Sequence, residues 1–291
     1  MRKFVCFLSS TLILVVPVSL SAEEFAAARL LPESVVIYAE APFAGDSLGD
    51  LLDHPQRQKI EALPKYQEWL EGEERRQLMM GVRFIEAQLG MPWRRAIEKL
   101  GEGGVYFALD GASRSIAILV KSDDAAFLKK SHDTLLDLVR ADGAEKRKSD
   151  PLKSIDYRGV QAFRADNIRF AISGKWLILA SSDALGKSII DHILDDSERS
   201  LAQNDRFRTA HASRGAAPLA WAYADLATIR SAGIAKPLLG GKASDPGAEL
   251  IFGGVLNTLH NAPFATVELT SEGSSIDLAL TLPHDPSWTH G

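Results

Sequence analysis

Cysteine is almost absent from this chain of 291 residues, whose single cysteine, Cys6, lies in an apolar segment near the start. Once that segment is removed, no thiol remains. This excludes disulfides, thiol nucleophiles, zinc sites with cysteine ligands and iron–sulfur clusters. The remaining chain must therefore be stabilised by apolar packing. It keeps all five Trp and ten of the twelve Phe of a sequence that is 46% hydrophobic.

The sequence lacks the HExxH motif of a zinc protease. The spacing GxSxG occurs at Gly45-Asp46-Ser47-Leu48-Gly49, but that segment is predicted as a short helix, whereas a serine nucleophile elbow is a sharp turn from a strand into a helix. Gly186-Lys187-Ser188 resembles the end of a phosphate-binding loop, but that loop needs a glycine where this chain has Ser181. We therefore predict no cofactor and no metal site, and the sequence leaves open whether the protein is an enzyme.

The chain also lacks a net positive charge. The formal net charge is −5, and removal of residues 1–22, which contain Arg2 and Lys3 and no acid, makes it −7. An acidic protein repels polyanions, so we expect no nucleic-acid partner. No segment after the start is long and apolar enough to span a bilayer, so we expect no transmembrane helix once residues 1–22 are cleaved.

The first 22 residues form the pattern of a secretory signal. Arg2 and Lys3 precede an apolar run from Phe4 to Leu20, and small residues follow it. The run is interrupted by Pro17 and is short for a membrane anchor. The sequence predicts cleavage near Ala22 and a location in the periplasm or outside the cell.

Hydrophobic periodicity predicts an α+β fold of antiparallel sheets and hairpins with packed helices. We divide the chain into a first α+β half, residues 23–153, and a second, residues 154–282, before a flexible tail, residues 283–291. A helical insertion, residues 55–100, enlarges the first half. Within it, Leu78, Val82, Ile85 and Leu89 lie on one helix face.

Two segments of the chain are similar to each other. A strand ending in Tyr38-Ala39-Glu40 and another ending in Tyr223-Ala224-Asp225 are each followed by helices and then by a predicted hairpin. This suggests two related halves. Chance similarity between α+β segments would give the same pattern. The sequence does not decide whether the halves share one sheet.

Several short segments resemble a family of exported bacterial proteins classed as a domain of unknown function. The residues that support the resemblance are Leu31-Pro32, Tyr157-Arg158-Gly159-Val160, Ile172 to Ser182, Ser200-Leu201, Asp205-Arg206-Phe207 and Ala220 to Leu226. They match turns and strand ends over most of the chain. The resemblance implies export and an α+β repeat architecture, with no assigned reaction, cofactor or catalytic residue.

Two acidic residues are candidate site residues because they occupy equivalent positions in the similar segments. If the halves pack with twofold symmetry, Glu40 and Asp225 could approach each other and form the carboxylate pair of a glycoside hydrolase. Alternatively, each carboxylate caps the helix that follows it.

Two histidines are weaker candidates. His132 is predicted on the apolar face of a helix, where it would be either a site residue or a core histidine bonded to a backbone carbonyl. His192 lies beside Asp191 at an acidic helix end, which would either bind a cation weakly or be solvated.

The helical insertion provides a candidate surface for a partner. Its aromatic and flexible apolar residues, of the kind enriched at interfaces, are Tyr66, Trp69, Met79, Met80 and Trp93. The alternative is that these helices only cover the sheet. The sequence favours an exported, non-enzymatic binding or scaffold protein, with an envelope protein or an apolar ligand as partner. The alternative function is an exported hydrolase with a carboxylate pair or a Ser/His site. The oligomeric state is not predicted.

Overall fold

The computed structural model describes residues 25–55, 57–145, 152–195, 199–215, 218–233, 254, 256–272 and 275–283. The predicted signal, residues 1–22, and tail residues 284–291 lie outside this part of the chain. The helices are α1 (Ala44–Asp53), α2 (Arg57–Glu61), α3 (Pro64–Glu71), α4 (Glu73–Leu89), α5 (Trp93–Gly101), α6 (Ala125–Glu145), α7 (Asp183–Asp195), α8 (Asp205–Ala212) and α9 (Leu226–Ser231). Short 3₁₀ turns cover Ala28–Leu30 and Leu201–Gln203.

The described strands form one antiparallel sheet of ten strands in the order β10-β9-β8-β1-β2-β3-β7-β6-β5-β4. This architecture confirms the predicted α+β class. The strands are β1 (Val35–Ala41), β2 (Val105–Asp110), β3 (Ser115–Lys121), β4 (Lys153–Tyr157), β5 (Val160–Ala165), β6 (Ile168–Ser173), β7 (Trp176–Ala180), β8 (Ala220–Ala224), β9 (Ala265–Glu272) and β10 (Ser275–Thr281).

The two similar segments meet at the centre of the sheet. β1 pairs with β8 so that Tyr38 lies opposite Tyr223. Along the chain, β1 is followed by the β2–β3 hairpin and β8 by the β9–β10 hairpin, and these hairpins flank the central pair on opposite sides. A rotation of the strand order by half a turn about the Tyr38–Tyr223 pair therefore exchanges β1, β2 and β3 with β8, β9 and β10. β4–β7, which we assigned to the second half, extend the sheet from β3 instead.

Each face of the sheet is covered by its own set of helices, because alternate strand residues point to opposite faces. On one face, the 3₁₀ turns, α7 and α8 pack over a core that includes Tyr38, Leu119 and Ile178. On the other face, α5 and α6 pack near Val120 and Leu177, and α9 packs near Val36. The largest of these cores contains residues from both predicted halves.

The local turns follow the sequence closely. Between β4 and β5, Arg158 and Gly159 have φ angles of 53° and 80°, as a two-residue hairpin turn of type I′ requires. The Asp110 carboxylate accepts hydrogen bonds from the Ser113 backbone N–H at 2.8 Å and from the Ser34 hydroxyl at 2.6 Å, which fixes the β2–β3 turn. Ser182 caps α7 by accepting from the Leu185 N–H at 3.2 Å.

The predicted helical insertion consists of α2 to α5. None of the described helices combines the length and the hydrophobicity that a membrane span requires. α1 and α5 pack at very short range, since a Cβ on Gly45 would lie 2.3 Å from the Glu98 carbonyl oxygen. Helix α6 continues to Glu145, although its last residues are mostly polar or small.

Candidate functional site

Helix α8 packs on the two central strands through the buried rings of Phe207 and His211. Phe207 is fully buried, and its ring meets Tyr38 of β1 and Tyr223 of β8 edge-on, with centroids 5.3 Å away in both cases. The Asn204 side chain fixes the start of the helix by accepting the Phe207 N–H at 3.1 Å. α8 therefore has a defined position, and residues at its two ends face different parts of the strands.

The C-terminal end of α8 faces a buried carboxylate on β1. Glu40 is 6% exposed, and its Oε2 accepts a hydrogen bond of 2.7 Å from the Tyr38 hydroxyl. Its Oε1 lies 3.1 Å from Nε of Arg214 and 3.8 Å from Nε2 of His211. A carboxylate this deeply buried needs such a partner, and the Arg214 guanidinium supplies the compensating charge.

The surroundings of this cluster fix the protonation of its other groups. Burial, with the Arg214 charge beside it, lowers the pKa of His211 to about 4, so the imidazole is neutral at neutral pH. Burial and the Glu40 carboxylate raise the pKa of Tyr38 well above its ordinary value, so its hydroxyl remains a donor. Glu40 and Arg214 thus form an ion pair beside a neutral imidazole.

A cleft of about 870 Å³ opens beside this cluster, and we call it the arginine cleft. Its wall includes Arg29, Arg208 and Arg214, together with Phe25 and His211. The Phe25 and His211 rings lie 4.5 Å apart between centroids and form an aromatic part of that wall. The cleft therefore combines guanidinium groups with an apolar surface.

A second concavity, the apolar cavity, lies between α4, α5 and α6 and has a volume of about 200 Å³. Its wall is formed mainly by carbon atoms of Val82, Ile85, Leu89, Trp93, Ala96 and Leu135. Two hydroxyls also reach it. Thr134 donates to the Lys130 carbonyl at 2.8 Å, whereas the buried Ser131 hydroxyl has no hydrogen-bond partner among the described residues.

The structure does not bring Glu40 and Asp225 together. Glu40 pairs with Trp221, whereas the Asp225 N–H bonds to the Val36 carbonyl, four residues back along β1. At about 3.3 Å per residue, the two backbone positions are roughly 13 Å apart. A hydrolytic carboxylate pair needs about 5 to 9.5 Å between its carboxyl groups. The twofold symmetry places the two acids at opposite ends of the strand pair instead.

Asp225 has the capping role that the sequence offered as the alternative. Its Oδ1 accepts the Thr228 N–H at 2.9 Å at the start of α9, and its Oδ2 lies 2.9 Å from Nη2 of Arg206. Glu40 does not cap a helix, because α1 begins at Ala44 after Phe43, which makes no side-chain cap. The two acids are alike in one respect, since each pairs with an arginine in or just after α8.

The two candidate histidines are both buried, and neither lies at the arginine cleft. His132 is 6% exposed, with Nδ1 3.3 Å from Oδ1 of Asp133 and its ring 5.6 Å from Phe163. Its contact is with a carboxylate rather than the expected backbone carbonyl. His192 is 8% exposed, and its ring nitrogens lie 2.7 Å and 3.2 Å from the carbonyls of Ser188 and Arg199.

The acidic helix end beside His192 is neutralised by an arginine. Arg158 lies 2.7 Å from Asp191 and 2.6 Å from Asp195. In the described part of the chain, no three histidine, cysteine or acidic residues are grouped closely enough to hold a metal ion. His132, His192 and His211 contact no serine hydroxyl among the described residues.

The five residues of the predicted partner surface do not form one patch. Trp69 and Met80 are exposed, at 38% and 62%, whereas Tyr66 and Met79 are half-buried. The rings of Tyr66 and Trp69 lie 5.7 Å apart on α3. Trp93 instead lines the apolar cavity.

His211 and Arg214 were not predicted as site residues. They lie about 170 positions after Glu40, and no local motif joins them to it. The only available signal was the unusual presence of an acidic residue in the apolar strand Val35 to Ala41.

Comparison with known proteins adds little to this description. The chain matches no family model, and no curated protein is significantly similar to it. Crystal form III of TP0453 matches 88% of this chain and 78% of its own, with 12% identity and a TM-score of 0.42. Crystal form I matches 88% and 77%, with 13% identity and a TM-score of 0.43. Membership of the family of unknown function stays a prediction.

Proposed function

We propose that the protein is an exported, non-enzymatic binding protein of the periplasm or cell envelope, and that it holds a small apolar ligand in the apolar cavity. The main support is the composition of that cavity, about 200 Å³ lined almost entirely by carbon between three helices. The space is partly open to solvent, since Ile97 in its wall is 42% exposed. A small apolar compound can therefore enter it, and binding would remove carbon surface from water.

The size and polar groups of the cavity restrict the ligand. The volume suits one small ring or a short alkyl segment. The Ser131 hydroxyl, which is buried and has no hydrogen-bond partner among the described residues, can bond one polar atom of the ligand. We expect a compound that is largely hydrocarbon with a single hydroxyl, carbonyl or ether oxygen.

The hydrolase alternative has less support. Glu40 and Asp225 are roughly 13 Å apart along the strands, by the repeat of about 3.3 Å per residue, and each is paired with an arginine. The histidines described above lack a serine hydroxyl partner. A binding role needs neither arrangement.

Toluene tests the proposed ligand site. We expect saturable binding of toluene, measured by calorimetric titration or by chemical-shift changes of residues in α4, α5 and α6. The variant Ala96→Leu places a larger side chain in the cavity wall, where Ala96 is 5% exposed. It should weaken toluene binding at least about tenfold, which corresponds to a loss of about 1.4 kcal/mol.

The matched control is Ala126→Leu, the same change at an exposed position of α6 away from the cavity. It should leave toluene binding unchanged. Absence of toluene binding to the parent protein, or equal affinity in both variants, would contradict the proposal. Native mass spectrometry of protein purified from the envelope should also detect a small organic compound that Ala96→Leu no longer retains.

A further inference from the structure

The arginine cleft lies on the opposite face of the sheet from α5 and α6, so it is separate from the apolar cavity. The Nε of Arg214 lies 3.1 Å from Oε1 of Glu40 as an ion pair without hydrogen-bond alignment, and Arg214 lines the cleft with a side chain that is 13% exposed. Among the described residues, the terminal nitrogens of Arg214 have no hydrogen-bond acceptor. The buried carboxylate therefore balances the charge of Arg214, and the terminal nitrogens remain available to the cleft.

The other two arginines of the cleft add positive charge that is only partly neutralised within the described residues. Arg29 has no acidic partner there. Arg208 is 4.0 Å from Asp205, which also lines the cleft and whose carboxylate side chain is 98% exposed. An exposed pair of this kind contributes little. The cleft therefore has local positive charge on a protein whose net charge is −5.

We propose that the arginine cleft binds a small organic anion with a phosphate or carboxylate group next to an apolar ring. The oxyanion would be held by Arg29, Arg208 and Arg214, and the ring would lie against Phe25, which packs on the buried ring of His211. Guanidinium forks match the oxygen atoms of both oxyanions.

The volume and charge of the cleft limit the class of ligand. About 870 Å³ is within the range of small-molecule sites and below what a folded partner would fill. The negative net charge of the whole protein disfavours a polyanion such as nucleic acid. The buried His211 behind Phe25 is neutral at neutral pH, so it adds no charge to this part of the wall.

Phenyl phosphate, benzoate and inorganic phosphate serve as probes. At low ionic strength, calorimetry should show that phenyl phosphate or benzoate binds, and that added potassium chloride weakens the binding. Inorganic phosphate should bind at least about tenfold more weakly than phenyl phosphate, because it lacks the ring. Comparison of phenyl phosphate with benzoate identifies which oxyanion the cleft prefers.

The double variant Arg29→Gln/Arg208→Gln removes two charges at the cleft without changing the buried pair of Glu40 and Arg214. It should weaken phenyl phosphate binding at least about tenfold. The control is Arg95→Gln, an exposed arginine on α5. It should bind phenyl phosphate as the parent protein does. Thermal unfolding of each variant checks that the fold is kept.

Two results would overturn the proposal. One is the absence of phenyl phosphate and benzoate binding, and the other is unchanged affinity in the double variant. Equal affinity for inorganic phosphate and phenyl phosphate would overturn the assignment of the ring site at Phe25. Because toluene binding is measured separately, this test does not depend on the proposed function.

Discussion

At the scale of the residue, Phe207 links the helix that borders the arginine cleft to the central strands. Its ring also lies 5.9 Å from Trp221 and 6.3 Å from Phe25, in addition to its two tyrosine contacts. A buried aromatic side chain with several ring neighbours contributes through area and through edge-to-face contacts. The position of His211, one helical turn further along α8, depends on this packing.

We expect Phe207→Ala to lower the free energy of unfolding by about 4 kcal/mol, because a fully buried ring is replaced by a cavity. Phe43→Ala is the control, since Phe43 is 55% exposed and should lose less than about 1 kcal/mol. Urea denaturation followed by tryptophan fluorescence measures both values. Equal losses in the two variants would contradict the central role assigned to Phe207.

Single residues of the site differ in how far the sequence could predict them. Glu40 was identifiable because an acidic residue in an apolar strand needs a partner. Its partners could not be predicted, because the direction of the strand pair, and hence the distance to Asp225, follows from a register between residues almost 200 positions apart. His211 and Arg214 could not be linked to Glu40 by any local pattern.

At the scale of the element, α8 and α9 are short helices whose starts are fixed by side-chain caps. Asn204 caps α8, and Asp225 caps α9 and also pairs with Arg206 of α8. Helices of this length are marginal on their own. Their caps and tertiary contacts therefore set their positions.

Two substitutions separate the cap from the charge at Asp225, whose side chain is 3% exposed. Asp225→Ala removes both interactions and should cost about 2 kcal/mol. Asp225→Asn retains an oxygen acceptor for the Thr228 N–H and should cost about 1 kcal/mol. Chemical denaturation gives both values. If the Asn variant were as destabilised as the Ala variant, the cap would contribute nothing.

Most elements could be predicted from the sequence within a few residues, because β-branched strands and turn residues mark them locally. The Arg158–Gly159 turn and the β2–β3 hairpin are examples. The end of α6 is not marked locally, because its last residues are polar and resemble a loop. The apolar cavity could not be predicted, since a cavity depends on how side chains from three helices fail to fill a space.

At the scale of the whole molecule, the buried His211 makes folding stability sensitive to acid. The unfolded chain takes up a proton on this residue near pH 6.5, whereas the folded protein does so only near pH 4. Between these values the unfolded state binds more protons. The free energy of unfolding therefore falls as the pH decreases from about 6.5 to about 4, by up to about 3 kcal/mol.

His211→Gln should reduce this pH dependence, because glutamine does not titrate. The measurement is urea denaturation at several pH values between 4 and 7. His260→Gln, at an exposed position, is the control and should keep the slope of the parent protein. Below this range, Asp183 contributes its own acid sensitivity, because the Arg169 guanidinium lowers its pKa. An unchanged slope in His211→Gln would contradict the assignment.

The ladder between β1 and β8 has a mechanical consequence. Four residue pairs from Ile37 to Glu40 join the two sets of strands, so the sheet has no hinge at its middle. Separating the flanks would require breaking backbone hydrogen bonds and exposing Tyr38 and Tyr223 to water. We therefore expect any change of shape on ligand binding to come from tilting or sliding of the outer helices, while the central sheet stays rigid.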